Sequence, residues 1–136
     1  WERIKSGETG ERHGVDEEIP PTLPALARAA KVQRRAAGWG FEWRSAESAM
    51  AALREEVDEL ERAADPVNAE EEIGDVLFAT VAVARRLGVD AESALRRTIA
   101  GFAGRYERFM ATLAERGLDL EAMSEEDVRA LFRQVR

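Results

Sequence analysis

The sequence predicts an all-α fold, a helical-hairpin bundle completed by dimerisation, and three observations carry that reading. Hydrophobic residues make up 45% and charged residues 35% of 136, with only 10 Gly and 4 Pro, the balance of a helix-rich globular chain. Apolar residues recur at three- and four-residue spacing, and no stretch alternates as a half-buried strand does. The run VLFATVAVA (76–84) is apolar all round, so its helix must be covered on several faces. One copy's few modest helices cover it poorly, so a homodimer is expected.

Residues 1–21 read as an N-terminal arm and 22–136 as one helical domain. WERIK (1–5) reads as the end of a helix begun upstream, and a chain that starts at Trp1 rather than Met is expected to be a piece of a longer protein. Residues 6–24 mix Gly, Pro and charge without helical period, as an extended or mobile arm does. Thr22 is a candidate N-cap with Pro24 in the first turn, and Leu23, Leu26, Ala30 and Val32 predict a first helix to about Ala37, broken by Gly38 and Gly40. Ser45 caps a second helix to about Ala64, striped by Met50, Leu53, Val57 and Leu60 and ended by Asp65 and Pro66. A third runs from about Asn68 to Leu87, stopped by Gly88. A fourth starts behind Asp90 and ends near Arg116, before Gly117. Ser124 and Asp127 resemble a capping box that opens a last helix over 125–135.

Composition bounds the function. A net charge of −7 disfavours nucleic acid and anionic membrane, so a phosphate ligand needs a metal ion or local Lys and Arg. The absence of cysteine excludes disulfide scaffolds, thiolate metal sites and cysteine nucleophiles, and fits a cytoplasmic setting. No apolar run approaches the roughly 18–20 residues of a membrane span, and no signal peptide is evident.

The candidate site lies in LREEVDELERAADPVNAEEEIGDVLF (53–78). Glu56 with Glu59, and Glu72 with Asp75, each share a helix face, and the two pairs are placed symmetrically about a point beside Pro66. With residues 64–68 as the turn of an antiparallel hairpin, Glu59 comes level with Glu72 and Glu56 with Asp75, about 7–13 Å from the turn. Helix phase puts Glu72 and Asp75 in line with Ala79 and Val83, so Asp75 is expected to be the least solvated. Like charges 4 Å apart repel by about 4 kcal/mol at an effective dielectric of 20, so something cationic is required. Oxygen ligands without Cys, and a single distant His13, point to Mg²⁺ or Mn²⁺ rather than zinc. Spacing alone also admits a plainer reading, a solvated acidic face whose Glu70, Glu71 and Glu72 complement a helix dipole. Trp39, Phe41 and Trp43 read as a staple holding a loop to the bundle, with a nucleobase pocket as the alternative.

The arrangement EExxE (Glu55, Glu56, Glu59) followed by ExxD (Glu72, Asp75) resembles the signature of the MazG family of nucleoside triphosphate pyrophosphohydrolases, within the all-α NTP pyrophosphatase group. WERIK (1–5), LPALARAAKVQRRAAGWGFEW (23–43), EEEIGDVLFATVAVARRLGVDAESALRR (70–97) and FAGRYERF (102–109) extend the likeness to a C-terminal MazG domain over nearly the whole chain. The resemblance implies Mg²⁺-dependent hydrolysis of an NTP or dNTP to the monophosphate and pyrophosphate, in nucleotide-pool housecleaning. It implies Glu56, Glu59, Glu72 and Asp75 as metal ligands and Glu55 as the remaining catalytic acid. Lys5, Arg105 and Arg136 match phosphate-contacting positions, and Phe132 stands where the family often has a base-stacking Trp. From the residues alone, Arg105 reads equally as a surface partner of Glu107 or Glu61, and Phe132 as core.

Gly101 and Asn68 stand where related domains commonly carry Lys. These departures keep open a second reading, a catalytically weakened dimerisation or regulatory module of a larger protein. A third is a related enzyme acting on a different phosphorylated compound.

Overall fold

The structure, a computed structural model, describes residues 14–136. WERIK with Lys5, and His13, lie outside the described residues. Among the described residues there are five α-helices and no strand. These are α1 (Ala25–Gly38), α2 (Ala46–Glu61), α3 (Pro66–Arg86), α4 (Ala91–Arg116) and α5 (Glu125–Gln134), with a short 3₁₀ turn at Leu120–Ala122 before the last. Two compact units emerge, one ending at Glu92 and the other spanning Ser93–Arg136.

In the first unit, residues 14–23 are turned rather than extended. Successive turns close between Glu17 and Gly14, Ile19 and Asp16, and Leu23 and Pro20. Ile19 is buried, and the Arg35 guanidinium donates to the Glu17 carbonyl, so this part of the expected arm is tied to α1. Helix α1 starts at Ala25 with Pro24 as its N-cap and no side-chain cap, not at the expected Thr22. A proline excludes the residue before it from helical conformation, so Leu23 cannot extend the helix and Thr22 is too far back to cap it.

Gly40 (φ 95°) closes α1. With this residue in the left-handed region, the Gly40 N–H reaches Ala37 O and the Phe41 N–H reaches Ala36 O, the paired bonds of a Schellman stop. Ser45 caps α2 through a reciprocal box with Ser48, as its position predicts. The hairpin turn is displaced from expectation. Helix α2 ends at Glu61, and Asp65 with Pro66 opens α3 instead of closing α2. The Asp65 carboxylate accepts from the Asn68 N–H at 2.9 Å, and proline at the first helical position has no N–H to leave unpaired.

Helix α3 packs against both α2 and α1. The buried residues are mostly small, Ala30, Ala49, Ala82, Val81 and Val83, so helix backbones approach closely. Gln33 is the buried polar exception, and its Nε2 donates to the Phe78 carbonyl at 2.9 Å. The rest of the apolar face of α3 is not covered in one copy, with Ile73, Leu77 and Phe78 each about half exposed.

The second unit is built on Phe109, Leu113 and Leu131, with Leu120, Met123, Val128, Phe132 and Val135 packed around them. Ser124 caps α5 by accepting from the Asp127 N–H, as expected. Helix α4 leaves Leu95, Ile99, Phe102, Tyr106 and Met110 exposed at three- and four-residue spacing. No helix among the described residues is long and apolar enough to cross a membrane.

Candidate active site

Glu56 and Glu59 lie one turn apart on α2, and α3 carries Glu72 alongside them. One carboxylate oxygen from each lies within 4.8 Å of the others. Glu56 and Glu72 are half-buried and Glu59 is exposed. Both Glu56 and Glu72 hold their Oε2 atom out of solvent with no hydrogen-bond partner. Desolvation, followed by the charge of Glu59, pushes the Glu72 carboxyl above the usual carboxylate range. Desolvation, then the charges of Glu59 and Asp75, does the same to Glu56.

Among the described residues, no Lys or Arg pairs with this triad. Buried acceptors left unpaired are costly, and the set of hard oxygens offers what a divalent cation requires. Asp75 follows Glu72 by one turn and acts on both half-buried carboxylates through its charge. It is exposed, whereas the phase of α3 predicts the most buried of the four acids. Asp75 instead lines a solvent-open pocket together with Glu56. Glu55 is exposed on α2 and does not join the triad.

That pocket has a volume of about 170 Å³ and is walled by Phe41, Trp43 and Phe78 beside Glu56 and Asp75. Its far wall is an ionic network. Arg85 meets the Glu42 carboxylate at 2.5 and 3.2 Å and reaches Gln33 Oε1 at 3.4 Å, and Arg86 lies 3.9 Å from Glu42. The Arg85 hydrogen bonds hold the Glu42 carboxyl below its ordinary value. Of the three aromatics read as a staple, Trp39 is half-buried with its indole nitrogen out of solvent, whereas Phe41 and Trp43 are 81% and 42% exposed, and Glu42 between them pairs with Arg85. Sequence reading noticed the aromatic cluster but missed Glu42, whose partner is 43 residues away.

In the second unit, Arg105 does not pair with Glu107. Its Nε and NH2 donate to the carbonyls of Phe132 and Val135 at 2.7–3.1 Å, closing the end of α5. The guanidinium carbon stands 4.3 Å from the centre of the Phe132 ring. Phe109 and Phe102 pack on the same ring, 5.6 and 5.8 Å away centre to centre. Arg136 is exposed at the end of this turn.

Residues 44–110 match the profile of the MazG nucleotide pyrophosphohydrolase domain. The chain belongs to the MazG family. It is similar to the nucleoside triphosphate pyrophosphohydrolase of Escherichia coli K12, 37% identical over 143 aligned positions that cover all of this chain and 54% of that protein. It is also similar to the nucleoside triphosphate pyrophosphohydrolase/pyrophosphatase MazG of Thermotoga maritima, 40% identical over 124 positions, 90% of this chain and 49% of that protein. The chain thus spans about half the length of these curated relatives. The MazG match contains every acid of the candidate site and Arg105, and leaves the Phe41–Trp43 wall and Phe132 outside it. Of the two positions that depart from the MazG pattern, Asn68 is occupied structurally, its Nδ2 donating to Asp65 at 3.2 Å. Gly101 lies on α4 with open space where a side chain would stand.

Proposed function

We propose that the chain hydrolyses nucleoside triphosphates, NTP or dNTP, to the monophosphate and pyrophosphate, with Mg²⁺ as the natural ion and Mn²⁺ as a substitute. The observation that carries this reading is the triad of carboxylate oxygens within 4.8 Å, two of its members holding a buried oxygen without a partner. Glu56, Glu59 and Glu72, with Asp75 one turn on, would hold the ion. Once bound, a divalent cation neutralises phosphate charge and acidifies a coordinated water.

The chain's own residues do the rest. The acids on two packed helices fix where the polyphosphate sits, and rigid placement of this kind lowers the entropic part of the barrier. Glu55, free of the triad, accepts a proton from the attacking water as its oxygen bonds to phosphorus and the bridging P–O bond breaks. Arg136 supplies a cation to the phosphates, and Arg105 acts by holding the turn that carries it. Phe132, under the Arg105 guanidinium, belongs to the same support. The known names of the relatives agree with this activity, and nucleotide-pool housecleaning is the role it suits.

We also propose a homodimer, supported by the uncovered apolar residues of α3 and of α4. The substrate is then a small molecule, and a net charge of −7 disfavours nucleic acid as a partner. The rival reading, an assembly module without turnover, is favoured by Asn68 and Gly101. The deciding experiment offers the eight common nucleotides with and without Mg²⁺ and measures pyrophosphate. Release that requires the ion supports hydrolysis, and none from an intact dimer selects the module.

A further inference from the structure

The pair of Glu42 and Arg85 also lines a second cavity, of about 480 Å³, within the roughly 300–1,000 Å³ of pockets that hold small ligands. It is walled by α1, the end of α3 and residues 88–91 at the entry to α4, all within the first unit. None of the acids of the candidate site lines it. Arg85 stands about 15 Å along α3 from Asp75, so the two places are separate.

The charge of this cavity runs against that of the chain. The protein carries a net −7, yet the lining includes three guanidiniums, those of Arg34, Arg85 and Arg86. Two of them are fixed in place. Arg85 is held by Glu42 at 2.5 and 3.2 Å and by Gln33 at 3.4 Å, and Arg86 donates to the Arg44 carbonyl at 3.2 Å. Glu42 is the one carboxylate that serves both, 3.9 Å from Arg86. Asp90, the other acid of the lining, is already engaged. Donors are therefore left over. Arg34 is exposed and has no ion pair or hydrogen bond among the described residues, and the Arg85 Nε–H is out of solvent without an acceptor.

Guanidinium forks match phosphate oxygens two at a time, and such charge-assisted bonds are about twice as strong as neutral ones. No aromatic residue lines the cavity, so it offers a base no stacking platform. We propose that it binds a compact phosphate-type anion, pyrophosphate more tightly than inorganic phosphate, held by Arg34, Arg85 and Arg86. Pyrophosphate brings more charge and a second phosphoryl group to three guanidiniums. The site needs neither a metal ion nor the proposed hydrolysis, although that hydrolysis would release this ligand.

Calorimetry on the metal-free chain in chelator, at about 0.15 M ionic strength to screen loose attraction, tests the proposal with phosphate and pyrophosphate as probes. Both should bind, pyrophosphate the tighter. Arg34→Gln and Arg86→Gln should each weaken pyrophosphate about tenfold or more, the scale of one lost hydrogen bond to a charged group. Glu56→Gln and Arg136→Gln should leave it within twofold of wild type. The proposal is overturned if pyrophosphate does not bind at millimolar concentration, or if both cavity variants bind it as wild type does. It is equally overturned if Arg136→Gln abolishes binding, which would assign the anion to the cation proposed for the substrate. Because the acids hold no ion in chelator, a chain without metal-dependent turnover would still give this result, and its failure would leave the hydrolysis standing.

Discussion

At the scale of single residues, the site is organised by what burial does to charge. Glu56 and Glu72 are raised above the ordinary 4.5 chiefly by desolvation, so their ionised forms weaken the metal-free fold. A raised folded value means that stability is fully present below 4.5 and is lost as pH climbs through the folded value. Metal-free protein should therefore melt higher when pH is lowered from neutral toward that point, and Glu72→Gln should melt higher than wild type at neutral pH in chelator. Glu42 has the opposite sign. Its value is lowered below 4.5 by Arg85, so its contribution is present above that value and fades only as pH falls below it, outside the first window. Glu59→Gln and Asp75→Asn should each cut pyrophosphate release by about 10² or more, since preorganised charge at a reacting phosphate is worth that much. Near-normal rates from either would remove the acids from the chemistry.

Among the elements, the α2–α3 hairpin is set by its turn. Asp65 caps α3 through the Asn68 N–H, and Pro66 starts the helix two residues earlier than the expected start at Asn68. Asp65→Ala should destabilise by about 1 kcal/mol in urea unfolding, the usual loss of an N-cap. An unchanged midpoint would mean the turn is held by packing alone. Asn68→Lys, restoring the family's commoner residue, keeps the N–H that Asp65 accepts and gives up only the side-chain bond.

For the whole molecule, two quantities follow from what one copy leaves exposed and unpaired. Leu95, Ile99 and Phe102 form a stripe on α4, and Ile99→Glu should move the sedimentation coefficient from dimer to monomer. A wild-type monomer at micromolar concentration would refute the dimer. Mg²⁺ at about 100 times its dissociation constant should add about 2.7 kcal/mol of stability through binding to the folded state alone. The same addition to Glu56→Gln should add much less, and equal gains would place the ion elsewhere.

Helix number, the Ser45 and Ser124 caps and the Gly40 and Gly88 stops were legible because they are local, each decided by a few neighbouring dihedrals and hydrogen bonds. The pairing of EExxE with ExxD was also readable, since a hairpin joins neighbours along the chain. The sequence by itself therefore determined the all-α class and which acids could gather. Only the tertiary structure decided which of them lose solvent, Glu56 and Glu72 rather than Asp75, because the close approach of α2 and α3 sets desolvation and helix phase does not. It also decided that Arg105 grips the carbonyls of α5 and that Glu42 meets Arg85. Those contacts join residues 30 and 43 positions apart, where no local periodicity reports on which ion finds which partner.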